Sequence, residues 1–251
     1  MKPKVLCVIG ARGGSKRVPN KNLRLLAGRP LMAYTIQAAK ASNAIDRIVL
    51  STEDERIAQA GRDLGVEVPF LRPPELASDD AKLPPVTKHA MEFMDRAGFR
   101  ADIVVQLQPV CPFVPPEKIT ESIEKVASGR ASSAVSLRKV TSGHPYRMKV
   151  IVDPKDGIFR NFITDIDVDT FQSSYHLPEV YCSTGAIYTR RRDLLDNYNG
   201  KDFALGNRPV AVVLDEIEAM DIDYPLDFEI AEHLMARRLY LKKEFQPSSA
   251  T

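Results

Sequence analysis

Apolar positions in the first half of the chain alternate between short unbroken runs and sets spaced three and four apart. VLCVI (Val5 to Ile9) is an unbroken run of strand length, and apolarity on both faces predicts a strand buried in a parallel sheet. PLMAYTIQAAKAS (Pro30 to Ser42) has helical spacing, with Pro30 suited to a first helical position. RIVLST (Arg47 to Thr52) predicts a second strand, and Glu53 to Gly65 a helix closed by glycine. VEVPFL (Val66 to Leu71) predicts a short third strand. The alternation continues with a helix over Leu83 to Gly98, a strand over Asp102 to Pro109, a helix over Pro115 to Ser128 and a strand over Ser132 to Val140. Strands separated by helices of about 10 to 15 residues predict an α/β fold, a mostly parallel sheet with helices on both faces. Ligands of such sheets bind beyond the carboxyl ends of the strands, where the polar stretch after Ile9 falls.

The pattern changes near residue 140. HPYRMKVIVDPKDGIFRNF (His144 to Phe162) predicts a β-hairpin with DPKDG as its turn, and residues 164 to 180 are polar and irregular. Strand character returns at Tyr181 to Thr189 and Arg208 to Glu216, and Pro225 to Lys243 predicts a strongly amphipathic helix. The expected organisation is one α/β domain over residues 1–245 with an inserted β-arm at about 140–180, either a lid or a subunit contact. A frayed tail follows at 246–251.

Charge and cysteine usage narrow the partners. Lys and Arg number 35 against 33 Asp and Glu, so a nucleic-acid partner is not expected and any anion site must be a local cluster. No apolar run approaches the roughly 18 residues of a membrane span, so no membrane partner is expected either. The apolar stretch in MKPKVLCVIG is too short for a signal peptide. Cys7, Cys111 and Cys182 are odd in number and far apart, which suits neither a disulfide framework nor a CxxC metal site. A cytoplasmic location is expected.

GARGGSKRVPNKN (Gly10 to Asn22) sets Arg12, Lys16, Arg17 and Lys21 among three glycines directly after the first strand. Clustered cations repel one another unless solvent or an anion satisfies them. A Walker A loop is excluded, because Ser15 stands five positions after Gly10 and Arg17 follows Lys16. A dinucleotide fingerprint is excluded too, because Val18, Pro19 and Asn20 delay the next helix to about Pro30. A long loop remains that joins glycine backbone to several cations, a combination suited to a nucleoside triphosphate. The alternative is a solvated basic loop that binds nothing.

Near the other end, MDIDYPLDFEIAE holds Asp221, Asp223 and Asp227. In an extended segment side chains two apart point the same way, so Asp221 and Asp223 could share one hard cation such as Mg²⁺. Asp227 suits a helix start instead.

Taken in order, these segments resemble the acylneuraminate cytidylyltransferases, which activate sialic acids and related sugar acids as CMP conjugates. GARGGSKRVPNKN resembles the family's signature loop, GRPLMAYTIQAA its second element and VLSTEDERIA its third. FLRPPELASDDA, LQPVCP, TGAIY and MDIDYPLDFEIAE resemble later elements, so the likeness runs over nearly all of residues 5 to 232. The resemblance implies a Rossmann-like nucleotidyltransferase fold and a homodimer joined through the arm. It implies transfer of CMP from CTP to the anomeric hydroxyl of a 3-deoxy-2-keto sugar acid, a sialic acid or related nonulosonate, with Mg²⁺ as cofactor. Arg12, Lys16 and Lys21 would hold the outer phosphates, with Ser15 and Asn22 as hydrogen-bonding partners, and Ala11, Gly13, Gly14 and Asp80 would complete the nucleotide site. Arg12, Lys21, Asp221 and Asp223 would be the catalytic residues, the two aspartates as metal ligands.

For the acidic sugar, Gln108 matches the family glutamine that contacts it, though a glutamine there could equally cap the strand. Arg147 is a candidate partner for the sugar carboxylate or an ordinary surface arginine. Asp79 matches the same L-A-x-D element as Asp80, and either could cap a helix. Two segments depart from the family pattern. Gln108-Pro-Val-Cys-Pro-Phe-Val114 replaces Q-P-T-S-P-L-R, and Ser183-Thr184-Gly185 replaces the end of R-x-N-G. These departures keep other acceptors or nucleotides open (GTP, Kdo, a sugar 1-phosphate or a phosphonate), as well as a non-catalytic nucleotide-binding module.

Overall fold

The computed structural model describes residues 2–166, 173 and 176–244. Strand β1 (Val5–Gly10) is buried along almost its whole length, and its side chains alternate between two cores. Val5, Cys7 and Ile9 pack on one side of the sheet, Leu6 and Val8 on the other. That two-sided burial is why the run carries no polar face. A short hairpin of β2 (Leu25–Leu26) and β3 (Arg29–Pro30) precedes α1 (Leu31–Ala41). Pro30 therefore stands just before the helix, with φ −51° and ψ 138°, rather than in its first turn.

β4 (Arg47–Ser51) leads to α2 (Glu55–Asp63), whose N-terminus is capped by the Asp54 carboxylate accepting from the Arg56 N–H at 2.8 Å. The strand expected over Val66 to Leu71 is reduced to a single bridge between Val49 and Glu67. Pro69 has no N–H to extend the ladder. The chain continues through α3 (Leu83–Arg96), β5 (Ile103–Leu107), α4 (Pro116–Ala127) and β6 (Ser133–Lys139). Next comes a separate two-stranded sheet, β7 (Lys149–Asp153) and β8 (Ile158–Asn161), which is the expected hairpin of the arm. Within the arm, residues 167–172 and 174–175 lie outside the described residues, as does the tail at 246–251. β9 (Tyr181–Arg191), α5 (Arg192–Asp196), β10 (Pro209–Leu214) and α6 (Pro225–Glu244) complete the order.

The main sheet has the order β10-β6-β9-β5-β1-β4. β1 is parallel to β4 and β5, and β10 to β6, while β9 runs antiparallel between β5 and β6. Helices α1 and α4 cover one face through Met32, Ile36, Ile119 and Ile123, and α3 covers the other through Ala90, Met91 and Met94. A third core joins Val18, Leu26, Leu31 and Phe113 to Ile222 and Phe228. It clamps the glycine loop against the segment that starts α6. The helix at the end is present, but its apolar residues do not form one stripe. Phe228 and Ala231 are buried, whereas Leu226 and Ile230 are exposed. Among the described residues no helix is long and apolar enough to cross a membrane.

Candidate active site

The loop that leaves β1 folds back on itself. The Ala11 N–H donates to the Ser51 carbonyl at 3.0 Å, which extends the pairing of β1 with β4 by one residue. Val18 is fully buried in the third core, and Asn22 donates its side-chain amide to the Arg12 carbonyl at 2.8 Å. These ties hold the two ends of the loop side by side, so Arg12, Ser15, Lys21 and Asn22 line one cleft of about 320 Å³. Asn22 is 5 % exposed and its Oδ1 has no protein partner. It is a buried acceptor that calls for a donor from a ligand or a water.

Gly13 and Gly14 do different jobs. A Cβ on Gly13 would lie 2.7 Å from Asp54 Oδ2 and 2.9 Å from Asp54 Cβ, and the Gly13 N–H donates to Glu53 Oε1 at 2.6 Å. The absence of a side chain at Gly13 thus serves close packing against α2's cap, with its amide directed at Glu53. A Cβ on Gly14 would meet nothing within 4 Å.

The cations are held by carboxylates. Arg12 Nη1 donates to Asp79 Oδ1 at 2.8 Å, and Lys16 pairs with the other oxygen of the same carboxylate. Lys16, and after it Arg12, hold the Asp79 carboxyl below the usual range. Lys21, with only 11 % of its side chain exposed, donates to the Ile222 carbonyl at 2.6 Å and to Asp223 Oδ1 at 2.9 Å. Arg17 reaches the second oxygen of Asp223 at 3.3 Å and lies over the Tyr224 ring.

Asp221 faces the same cleft. Desolvation and the charge of Asp223 push its carboxyl up to about 6, with Asp227 adding to the rise and Lys21 opposing it. Lys21 and Arg17 both pair with Asp223, whereas Asp221 has no ion pair among the described residues. Among the described residues no group of three or more His, Cys, Asp or Glu is placed to hold a metal, so a closed protein cage is not built here. A pair of carboxylates completed by waters and substrate phosphates is the donor set that suits Mg²⁺. Asp227 accepts from the N–H groups of Asp223 and Tyr224 at 2.8 and 2.6 Å, which makes it the residue that fixes the turn into α6.

Gln108, Val110, Thr184 and Gly185 also line the cleft, where β5 ends beside the first half of β9. The Gln108 N–H donates to the Ala186 carbonyl at 3.3 Å. The floor includes Arg72, which is 6 % exposed. Its Nε donates to Ser51 Oγ at 3.0 Å, and Nη2 to the Ser51 carbonyl. Burial lowers the Arg72 guanidinium to about 10, with Glu53 opposing the change and Arg12 reinforcing it.

The cytidylyltransferase family model matches residues 6–244, nearly the whole chain. The chain belongs to this family. It is a nucleotidyltransferase enzyme. The CMP-N,N'-diacetyllegionaminic acid synthase of Legionella pneumophila is 31 % identical over 233 residues, covering 92 % of this chain and 96 % of that one. The pseudaminic acid cytidylyltransferase of Campylobacter jejuni is 28 % identical over 232 residues, with coverages of 92 % and 96 %. A solved structure of CMP:2-keto-3-deoxy-manno-octonic acid synthetase complexed with CTP shares the fold, with TM-score 0.68 and 21 % identity over 94 % of this chain and 99 % of that one.

In this cytidylyltransferase the cleft gathers Arg12, Ser15, Lys21, Asn22, Gln108, Asp221 and Asp223 from the residues expected at the site. Lys16 stands at the rim with 79 % of its side chain exposed. Ala11 is buried beneath the loop. Asp80 is exposed and does not line the cleft, whereas its neighbour Asp79 does. Arg147 lies on a 3₁₀ turn at the root of the arm, is exposed and does not line this chain's cleft. Arg72 was missing from the sequence expectation. Its only signal was the arginine that opens the R-P-x-x-L-A-x-D element.

Proposed function

We propose that the protein transfers CMP from CTP to the anomeric hydroxyl of a nonulosonate sugar acid, in the cytoplasm, with Mg²⁺ as cofactor. The hydroxyl oxygen bonds to the α-phosphorus, the bond from that phosphorus to the β-phosphate oxygen breaks, pyrophosphate leaves and the hydroxyl proton passes to water. The observation that carries this reading is the meeting, in one cleft, of the Arg12 and Lys21 cations with the Asp221 and Asp223 carboxylates. Arg12, Lys16 and Lys21 bind the outer phosphates and stabilise the charge that grows on pyrophosphate. Ser15 and Asn22 hydrogen-bond the nucleotide, and the buried Asn22 Oδ1 supports that role because it is short of a donor. Asp221 and Asp223 would hold the metal, which when bound neutralises phosphate charge and orients the nucleophile. Gln108 orients the sugar acid. Positioning and charge supply the rate, so no general base is assigned.

The names of the relatives support legionaminic, pseudaminic or sialic acids as the acceptor class. We further propose that residues 1–245 act as one domain and that the arm joins two copies, bringing Arg147 toward the partner's acceptor. The test is pyrophosphate release with Mg²⁺, crossing the four nucleoside triphosphates with sialic, legionaminic, pseudaminic, Kdn and Kdo acids. Release with CTP and a nonulosonate, abolished by EDTA and in Asp221→Asn, is expected. Release with CTP and none of these acids would end the assignment.

A further inference from the structure

Thr184 lines the acceptor end of the cleft, but its hydroxyl is not free to serve there. It donates to Ser136 Oγ at 2.7 Å, with the Ser136 carbonyl at 3.3 Å, and it accepts from the Ala186 N–H at 3.4 Å. Ser136 is itself committed, since its Oγ accepts from the Ile187 N–H at 2.9 Å and donates to the Ile187 carbonyl at 3.3 Å. This knot sits where the pairing of β6 with β9 slips between Val135 and Leu137. Bulges of this kind re-aim side chains beside active sites. With its hydroxyl turned into the sheet, Thr184 leaves its methyl as the group that faces the cleft.

Val110 stands at the same end and adds a second branched apolar face, in the segment that departs from the family's Q-P-T-S-P. Its carbonyl accepts from the Ile222 N–H at 2.9 Å, which fixes the segment against the loop that carries Asp221 and Asp223. Beside them Gly185 has φ +76° and a Cβ there would meet nothing within 4 Å, so room remains next to the two methyl faces. Gln108 supplies an amide to the same end.

We propose that Val110 and Thr184 form an apolar wall that selects the acceptor. The wall fits a nonulosonate bearing an N-acyl methyl or a deoxygenated carbon, and disfavours one that presents a hydroxyl there. A hydroxyl set against these two side chains loses its water and finds no partner in them, because Val110 has no polar side-chain atom and the Thr184 hydroxyl is already bonded to Ser136. An acyl methyl gains contact instead. Discrimination at a single group of this size is worth about 10-fold or more in kcat/KM. The inference rests on the cytidylyltransferase reading given above and narrows its substrate.

The experiment measures kcat/KM for pyrophosphate release with CTP and three acids. N-acetylneuraminic acid and Kdn differ by an acetamido group against a hydroxyl, and N,N'-diacetyllegionaminic acid carries more acyl and deoxygenated positions. The better acylated acid should exceed Kdn by at least about 10-fold. Val110→Thr keeps the volume and adds a hydroxyl; Thr184→Ser keeps the bond to Ser136 and removes the methyl. Each variant should cut the preference at least about 3-fold, mainly by raising KM for the acylated acid. Kdn used as well as the acylated acids, or a preference unmoved in both variants, would overturn the wall while leaving the reaction in place. Silence with every acid overturns the reaction and the wall with it.

Discussion

In its proposed role as a metal ligand, Asp221 would set activity and stability against each other. Its carboxyl is pushed up to about 6 from an ordinary 3.8, so the folded protein binds that proton more tightly than the unfolded chain does. The stabilising contribution is therefore complete below about pH 3.8 and is lost as pH rises through about 6. At neutral pH the metal-free protein carries a crowded negative charge, and Asp221→Asn removes it. We expect this variant to lose at least about 100-fold in turnover while its metal-free Tm at pH 7.5 rises by a few degrees. The gain is about 1 kcal/mol or less, because the outer edge of Asp221 is open to solvent and screened. Thermal melts at pH 4 and 7.5, with and without Mg²⁺, check the sign, and an Asn variant melting below wild type at pH 7.5 contradicts it. The glycines carry a second prediction. Gly13→Ala drives a Cβ into the backbone-proximal Asp54 Cβ and should cost about 1–3 kcal/mol in urea unfolding. Gly14→Ala should stay within about 0.5 kcal/mol, and equal costs for the two would refute the packing role given to Gly13. The letters G-G marked the loop, but they could not say which glycine faces α2 and which faces solvent. Arg72 escaped notice for a related reason. An arginine before two prolines reads as a surface turn until the fold brings Ser51 beneath it.

Whole elements were legible where local pattern and tertiary burial demand the same thing. β1 is a nearly unbroken apolar run, and β4 and β5 carry the apolar triplets Ile48–Leu50 and Ile103–Val105, because helices cover both faces of the sheet and that burial writes itself directly into composition. The strand expected over Val66 to Leu71 shows the limit, since its apolar residues are real but Pro69 ends the pairing after one bridge. β9 was expected as a strand, yet no local feature marks it as antiparallel to both neighbours. Its direction follows from the long excursion of the arm before it. Helix α6 was visible too, but its role as an anchor was not. Phe228 is 1 % exposed and joins Ile222, between the two site aspartates, to Val18 in the glycine loop, with the Arg24 guanidinium 4.5 Å above its ring. Phe228→Ala should cost about 3–5 kcal/mol, and kcat/KM should fall as well because the cation loop and the carboxylate pair lose their common support. Urea midpoints with matched kinetics test both parts. A variant within about 1 kcal/mol of wild type would show that the third core does not hold the two halves of the cleft.

At the scale of the molecule the arm is the feature that the main sheet does not explain. β7 and β8 form a sheet of only two strands, and an isolated hairpin of that size is marginal in water. Ile151 and Phe159 are cross-strand partners, 63 % and 61 % exposed, and Met148, Ile158 and Phe162 extend the same exposed apolar character. So many exposed apolar side chains on a marginal hairpin support the proposal of a covering partner. The proposed second copy of the chain would meet the need with closed two-fold symmetry, each arm covered by the other molecule. Arg147 at the root of the arm, which does not line its own cleft, would then be carried toward the neighbour's acceptor. Light scattering at micromolar concentration should give twice the 28.0 kDa chain mass. Ile151→Asp combined with Phe159→Asp places two like charges across the strands and should return the monomer mass. If Arg147 serves the neighbouring site, this monomer should show a raised KM for the sugar acid with KM for CTP near wild type. Arg147→Ala should reproduce that kinetic change while remaining dimeric. A monomeric wild-type protein would separate the arm from assembly, and an Arg147→Ala enzyme with unchanged KM would return that arginine to the surface.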